Sequence, residues 1–411
     1  MNLSVVHRTF LDIIKRSINN EIDQTVYLSK QQFKELFILA EEQNLLPMVV
    51  DYLFKSRSIN SVETDVKEEF QNKAFESVAR QITKKNEFLN LLEDCQKQGY
   101  DPIVVKGIIC QNLYPVGMLR PSVDEDILVL PNEIDFYNDF FQSKELVLDK
   151  QDTYTHNVFE LSYHRRNSPT YLELHTRLFD PQAEGYNHLN HYFGDELFDR
   201  SVKIQIDDIY VRTLSHTDHF LFLIFHLYKH FIYSGVGVRP VCDIGLYADK
   251  YGEFIEWGYI KTCLEKSNIL YFVSAILNII KLYLLPESNM FSFVSDWDVD
   301  SVEIGDLLKD MLESGALGNS SIDRLHTSNM TLHAIEGHKH NFVLASLFPP
   351  IRKMKGRYRY LERYPVLIPI AWVDRIVNYL FKKNKDNHKK TESIKLGRER
   401  IKLLRKYKLM K

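Results

Sequence analysis

Up to about residue 98 the apolar positions recur three and four apart, the spacing that gathers them on one face of a helix. The first 21 residues pattern as an amphipathic helix. Ser29 with Gln32 has the form of a capping box opening a helix to about Gln43, and Pro47 sits in the first turn of another that ends near Lys55. Val66, Phe70, Phe75, Val78, Ile82, Phe88, Leu91 and Leu92 then mark one long helix, or two in series, from about Ser61 to Gln98, closed by Gly99.

From Asp101 the period shortens. Ile103 to Val105 and Ile127 to Leu130 are short apolar runs of the buried-strand type. Leu146 to Leu148, Asn157 to His164 and Thr170 to Arg177 add strand-like segments, the last two joined as a hairpin across Arg166 to Pro169. The runs IQI and IYVR flank Asp207-Asp208 as a second hairpin. Helical spacing returns at Ser215, through Thr217 to Tyr233, Pro240 to Tyr251, Trp257 to Ser267, Ile269 to Leu285 and Ser301 to Leu312. A polar loop is expected over Gly315 to Ser328, a basic irregular connection from Phe348-Pro349-Pro350, and a last helix over about Leu367 to Lys382. The pattern predicts an α+β chain: helices over 1–98, a core with strands over 99–213, a helical domain over 214–381 and a tail over 382–411.

Composition sharpens this picture in three ways. A 411-residue chain that is 45% hydrophobic and 26% charged has the balance of a globular protein with a substantial core. Its four cysteines form no CxxC pair and no regular spacing, which argues against a zinc knuckle or a disulfide framework and suits a reducing cytoplasm. The N-terminus lacks a signal peptide's apolar core and small-residue cleavage site. The most apolar window, Ile269 to Leu285, is broken by Asn278 and Lys281 and closed by Pro286, so it reads as a buried helix rather than a membrane span.

Charge is unevenly placed. Residues 382–411 hold thirteen Lys or Arg against Asp386, Glu392 and Glu399, a net of +10, whereas the whole chain is −3. An acidic body therefore carries a basic tail. Such a tail suits RNA, an acidic membrane surface, the body itself, or plain solvation as a partly helical terminus.

Candidate chemistry concentrates between Val104 and Leu130. Lys106-Gly107 follows a strand and opens a helix, where glycine allows a tight turn and a helix N-terminus offers N–H groups to a phosphate. Asp124 and Asp126, two apart on the next strand, project from the same face, and Glu125 faces the other way. Paired carboxylates on an apolar strand call for a cation. Glu173 in YLELHTRL, with Tyr171 and His175 on its own face, can add a third acid if its strand lies beside that of Asp124. An EF-hand is disfavoured, because Leu128 and Val129 stand where an oxygen ligand and a glycine belong. His226 and His230 have the i, i+4 spacing of a zinc pair but no intervening catalytic Glu and no obvious third ligand.

The succession strand, Lys106-Gly107, helix, Tyr114-Pro115, Arg120, Ser122, Asp124-x-Asp126-Ile-Leu-Val and Glu173-Leu-His175 resembles the uncharacterised nucleotidyltransferase family, a branch of the DNA polymerase β-like nucleotidyltransferase superfamily. His226-x-x-x-His230, Asp243 and the segment from Leu347 to Arg375 resemble that family's C-terminal half. The resemblance implies a mixed sheet with helices on one side. It also implies that Asp124, Asp126 and Glu173 bind two Mg²⁺ (or Mn²⁺) and are catalytic, Glu173 on the metal nearer the acceptor. Lys106, Gly107, Arg120, Ser122 and His230 would contact the nucleotide. The implied reaction is attack of an acceptor on the α-phosphate of a nucleoside triphosphate, ATP foremost, with release of pyrophosphate. Two positions depart from the superfamily: Ile108 replaces the usual Ser or Gly after Gly107, and Glu173 stands where Asp is common. The acceptor is open, with a small molecule or a protein favoured over RNA. The competing readings are a nucleotide-binding module without catalysis and an RNA-directed enzyme or binder that uses the tail.

Overall fold

Four helices precede the first strand: α1 (Val5–Ile18), α2 (Lys30–Glu42), α3 (Leu46–Lys55) and α4 (Thr64–Lys97). The capping box at Ser29 forms as predicted, with the Ser29 hydroxyl accepting from Gln32 N–H and the Gln32 side chain returning to Ser29 N–H. The computed structural model describes residues 3–315 and 358–410, apart from 23, 150–158, 184, 234, 359, 362 and 382–386. The polar loop predicted beyond Gly315, and the basic connection from Phe348 to 357, lie outside the described residues.

The strands are β1 (Ile103–Val105), β2 (Glu125–Leu128), β3 (Leu146–Leu148), β4 (Glu160–Arg165), β5 (Tyr171–His175), β6 (Val202–Ile206) and β7 (Ile209–Thr213). Among the described residues they form one mixed sheet of seven strands in the order β3-β4-β5-β2-β1-β7-β6. Both predicted hairpins are present, β4 against β5 and β6 against β7. Asp207 takes φ +50° to make the two-residue turn of the second, a conformation Asp tolerates better than most residues. The β2–β5 pair is parallel and sets Asp126 opposite Glu173, while β1 pairs antiparallel with β2 and sets Val105 opposite Asp126. That register positions the site.

Helix α5 (Gly107–Gln111) follows β1, and α6 (Ile134–Ser143), which the sequence reading left unassigned, connects β2 to β3; α7 (Leu197–Arg200) precedes β6. The C-terminal helices are α8 (His216–Tyr233), α9 (Val238–Tyr251), α10 (Trp257–Lys266), α11 (Leu270–Tyr283), α12 (Met290–Phe293), α13 (Gly305–Ser314), α14 (Ile368–Phe381) and α15 (Asn387–Lys406). No described helix is long and apolar enough to cross a membrane, and α11 has a fully buried middle, as its sequence suggested. One continuous apolar core runs from Val6 in α1, through the strands, to Tyr407 and Leu409.

The end of the tail belongs to that core. Leu404 and Tyr407 are buried, and so is Arg400, whose Nη1 donates to Asp310 Oδ2 at 2.8 Å and whose Nη2 donates to the Phe231 carbonyl near the end of α8. Lys406 pairs with Glu303 and Asp306, and Tyr407 Oη donates to the Glu303 carbonyl at 2.9 Å. Of the partners the charge pattern allowed, the body itself is the one that residues 397–410 engage.

Candidate active site

The two faces of β2 divide the work. On one face lies Glu125, buried, with its Oε1 3.1 Å from Lys84 Nζ of α4 and its Oε2 accepting from Ile108 N–H at 2.8 Å. A Cβ on Gly107 would stand 1.9 Å from Glu125 Oε2, and the residue has φ +24°, so glycine is required there by both space and backbone. This corrects one expectation. The second N–H of α5, that of Ile108, is taken by Glu125 rather than left free for a phosphate, because a buried carboxylate lies against the start of this five-residue helix.

The opposite face holds Asp126, Glu173 and His175, whose ligand atoms all lie within 4.8 Å of one another. His175 Nε2 is 3.3 Å from Asp126 Oδ1 and 3.5 Å from Glu173 Oε2, and its Nδ1 is 3.5 Å from Glu160 Oε2. Lys106 extends over the same group, its Nζ 2.7 Å from Asp126 Oδ2 and 3.0 Å from His226 Nε2. Lys106 itself has φ +52°, held by a hydrogen bond from its N–H to the buried His219 Nε2 at 3.1 Å.

Charge explains the protonation of each group. Burial alone would push the Asp126 carboxyl up, but the charges of Lys106 and His175 outweigh it and hold it well below the usual carboxylate range. Burial lowers the His175 pKa, yet hydrogen bonds to Asp126 and Glu173 raise it to about 9, so the imidazole is cationic at neutral pH. Glu173 is shifted upward, first by burial and then by Asp126 and Asp124, against the hydrogen bond from His175. His226 and His230 are pushed down by burial and by neighbouring cations, His230 to about 3, so both are neutral. Neutral His226 accepts from the Lys106 ammonium, and His230 Nε2 lies 3.2 Å from it.

The remaining predicted residues line one cleft of about 280 Å³ between the sheet and helices α8 and α9. Asp124 sits at its edge, one residue ahead of β2, half-buried and outside the tight Asp126–Glu173–His175 cluster. Ser122 donates its hydroxyl to the Asp124 carbonyl at 2.7 Å, and its backbone is clamped by the Gln81 side chain at 3.0 Å on each side. Arg120 lines the cleft with its guanidinium committed to Asp243: Nε donates to Oδ1 at 3.1 Å and Nη2 to Oδ2 at 2.5 Å, and Tyr114 Oη donates to Oδ1 at 2.7 Å. His230 also lines the cleft.

Two residues, His175 and Lys229, escaped the sequence reading as site members, whereas Arg239 was legible beside His230 and Asp243 as able to face a nucleotide. His175 was visible two residues from Glu173 on the same face, but only the β2–β5 pairing brings it to Asp126. Lys229 and Arg239 line the cleft from α8 and α9. The signal for Lys229 was a lone cation inside the apolar run FLFLIFHLYKHFIY.

Two acids side by side on neighbouring parallel strands, beneath helices that close a cleft, define an α+β nucleotidyltransferase fold with a site competent to hold a cation. The chain belongs to the uncharacterised nucleotidyltransferase family, whose model matches residues 29–284 and so spans the sheet and both helices of the cleft. Comparisons with curated proteins and with solved structures returned no significant match. Family membership makes nucleotidyl transfer the general activity and a nucleoside triphosphate the general substrate.

Proposed function

We propose that this protein is a divalent-metal-dependent transferase that moves a nucleoside monophosphate, from ATP or another nucleoside triphosphate, to an acceptor, releasing pyrophosphate. The observation that carries the reading is the β2–β5 register, which places Asp126 beside Glu173 on the floor of the cleft with His175 against both. The donor set fits a divalent ion: two carboxylates within reach of a common point, with Asp124 lining the same cleft and the His175 imidazole a further donor once a bound cation displaces its proton. Mg²⁺ is accommodated by the carboxylates, and the imidazole suits Mn²⁺ as well. When bound, the metal would neutralise triphosphate charge and favour in-line displacement at the α-phosphate.

The chain's own residues have separable duties. Asp126, Glu173 and Asp124 hold the cation, with Glu173 on the side from which the acceptor approaches. Lys106 supplies positive charge beside Asp126. Arg120, locked to Asp243, holds the Pro121–Asp124 segment in position rather than reaching freely for a phosphate. In the reaction the acceptor oxygen bonds to the α-phosphorus, the bond from that phosphorus to the β-phosphate oxygen breaks, and the acceptor proton leaves to a carboxylate or solvent. The body is acidic and the described end of the tail is folded onto it, which supports a small-molecule or protein acceptor over RNA.

A second reading, a nucleotide-binding module without catalysis, has one observation in its favour. Lys106 and His175 already neutralise Asp126 without any metal. Pyrophosphate release separates the two. Wild-type protein incubated with Mg²⁺ or Mn²⁺, each nucleoside triphosphate and a pool of acceptors is expected to release pyrophosphate, and Asp126→Asn to reduce it at least a hundredfold. Nucleotide binding by the wild type with no release above the Asp126→Asn level would favour the binding module.

A further inference from the structure

The cleft is electrically divided. Its sheet wall carries Asp124, Asp126, Glu160 and Glu173, while its helical wall carries Lys229 and His230 from α8 and Arg239 from α9. Three cleft cations are satisfied by acids, Lys106 and His175 by Asp126 and Arg120 by Asp243. The other two are not. Lys229 is half-buried and makes no ion pair among the described residues; its ammonium rests 5.6 Å from the centre of the Tyr186 ring. Arg239 is 8% exposed, donates from Nη1 to the Pro121 carbonyl at 2.6 Å, and leaves its buried Nε without a partner.

A half-buried cation facing other cations costs free energy unless an anion completes it. Burial and then the charge of Lys106 push the Lys229 pKa down against the pull of Asp126, Glu160 and Glu173, so the balance of the site opposes that charge as it stands. Helix geometry adds to the effect. His226, Lys229 and His230 lie at i, i+3 and i+4 on the cleft face of α8. The first turn of α9, which contributes Arg239 and Pro240, has no acidic residue, and its Val238 N–H donates to the uncharged Gln43 Oε1 at 2.8 Å, so that turn supplies no negative charge of its own. At the same time the turn after β1 has its Ile108 N–H taken by Glu125 and its Lys106 ammonium paired with Asp126.

From this we infer that the terminal phosphates of the triphosphate, those that leave as pyrophosphate, are gripped by Lys229 and Arg239 on the helical wall rather than by the Lys106-Gly107 turn. The inference rests on the nucleotidyltransferase reading for the identity of the ligand. It assigns the two halves of the cleft opposite tasks: the sheet takes the cation and the helices take the polyphosphate anion, so that the α-phosphate falls between them. Lys229 is also the better probe, because it is less buried than Arg239 and a methionine can keep its contact with Tyr186.

Titration calorimetry with the full chain tests this, using inorganic tripolyphosphate, ATP and AMP in turn, with melting temperature as the control for folding. Lys229→Met is expected to weaken tripolyphosphate and ATP at least tenfold, to leave AMP within about twofold, and to lower the salt dependence of tripolyphosphate binding. Arg239→Lys, which keeps the charge but not the planar donors, should weaken the same two ligands by a smaller factor. Unchanged tripolyphosphate affinity in a Lys229→Met protein that melts with the wild type, an equal loss for AMP, or no tripolyphosphate binding by the wild type would each overturn the inference. Pyrophosphate release by the wild type reports separately on the transferase reading. Release with an ATP KM unaltered by Lys229→Met leaves that reading standing and removes this subsite, whereas weakened binding without release does the reverse.

Discussion

Gly107 shows how a single position can serve the site without touching substrate. Its missing side chain makes room for Glu125, which in turn is held by Lys84 and by the start of α5, so one glycine ties β2, α4 and the Lys106 turn together. Gly107→Ala is expected to cost at least about 2 kcal/mol, combining backbone strain at positive φ with overpacking against a buried carboxylate. Denaturant unfolding monitored by circular dichroism would reveal it, and a midpoint equal to the wild type would contradict the required role of glycine. The sequence marked Gly107 correctly as special. The tight turn it assigned is present, and the close approach there is made by the Glu125 carboxylate, 18 positions downstream.

At the scale of elements, α8 is the pivot. Its middle carries His226, Lys229 and His230 into the cleft, and the carbonyl of Phe231 near its end accepts from the buried Arg400 of α15. The tail therefore ties down the helix that forms one wall of the site. Arg400→Met should destabilise the fold by about 3 kcal/mol or more, since it leaves Asp310 beside the core without its guanidinium partner. Equilibrium unfolding in urea measures this, and an unchanged stability would mean that the docked tail contributes nothing to the body. Sequence periodicity recovered all seven strands and most helices. It passed over α6, although Ile134, Tyr137, Phe140 and Phe141 are spaced for a buried face, because Asp135, Asn138 and Asp139 and the aromatics are all weak helix formers. Tertiary packing against the core overrides that weakness.

For the whole molecule, the site is a balance of charge that reports on global stability. His175 is neutral when the chain unfolds above about pH 6.5, but in the folded protein its pKa is raised to about 9 by Asp126 and Glu173. Its contribution is therefore complete below about pH 6.5 and is lost as pH rises through about 9. Metal-free protein in chelator should melt progressively lower between those limits, and His175→Gln should flatten the curve. A melting temperature with the same pH dependence in both proteins would count against the cationic imidazole. At pH 8, Mn²⁺ at a hundredfold excess over its dissociation constant would stabilise the wild type by about 2.7 kcal/mol, with the effect lost in Asp126→Asn.

The sequence by itself determined the strands, most of the helices, the family and the candidate acids Asp124, Asp126 and Glu173, because these follow from local period and from motifs whose members lie within a few positions. Only the tertiary structure decided the partners. The β2–β5 register made Asp126, Glu173 and His175 one cluster across 49 positions of chain. Packing of α4 and α9 turned Glu125 and Arg120 into buried ion pairs. The fold of the chain end brought Arg400 to α8. Each of these depends on which surfaces meet, and neither hydrophobic period nor motif spacing encodes the distance between residues far apart in the chain. The same packing leaves Lys229 and Arg239 facing the cleft with no ion pair among the described residues.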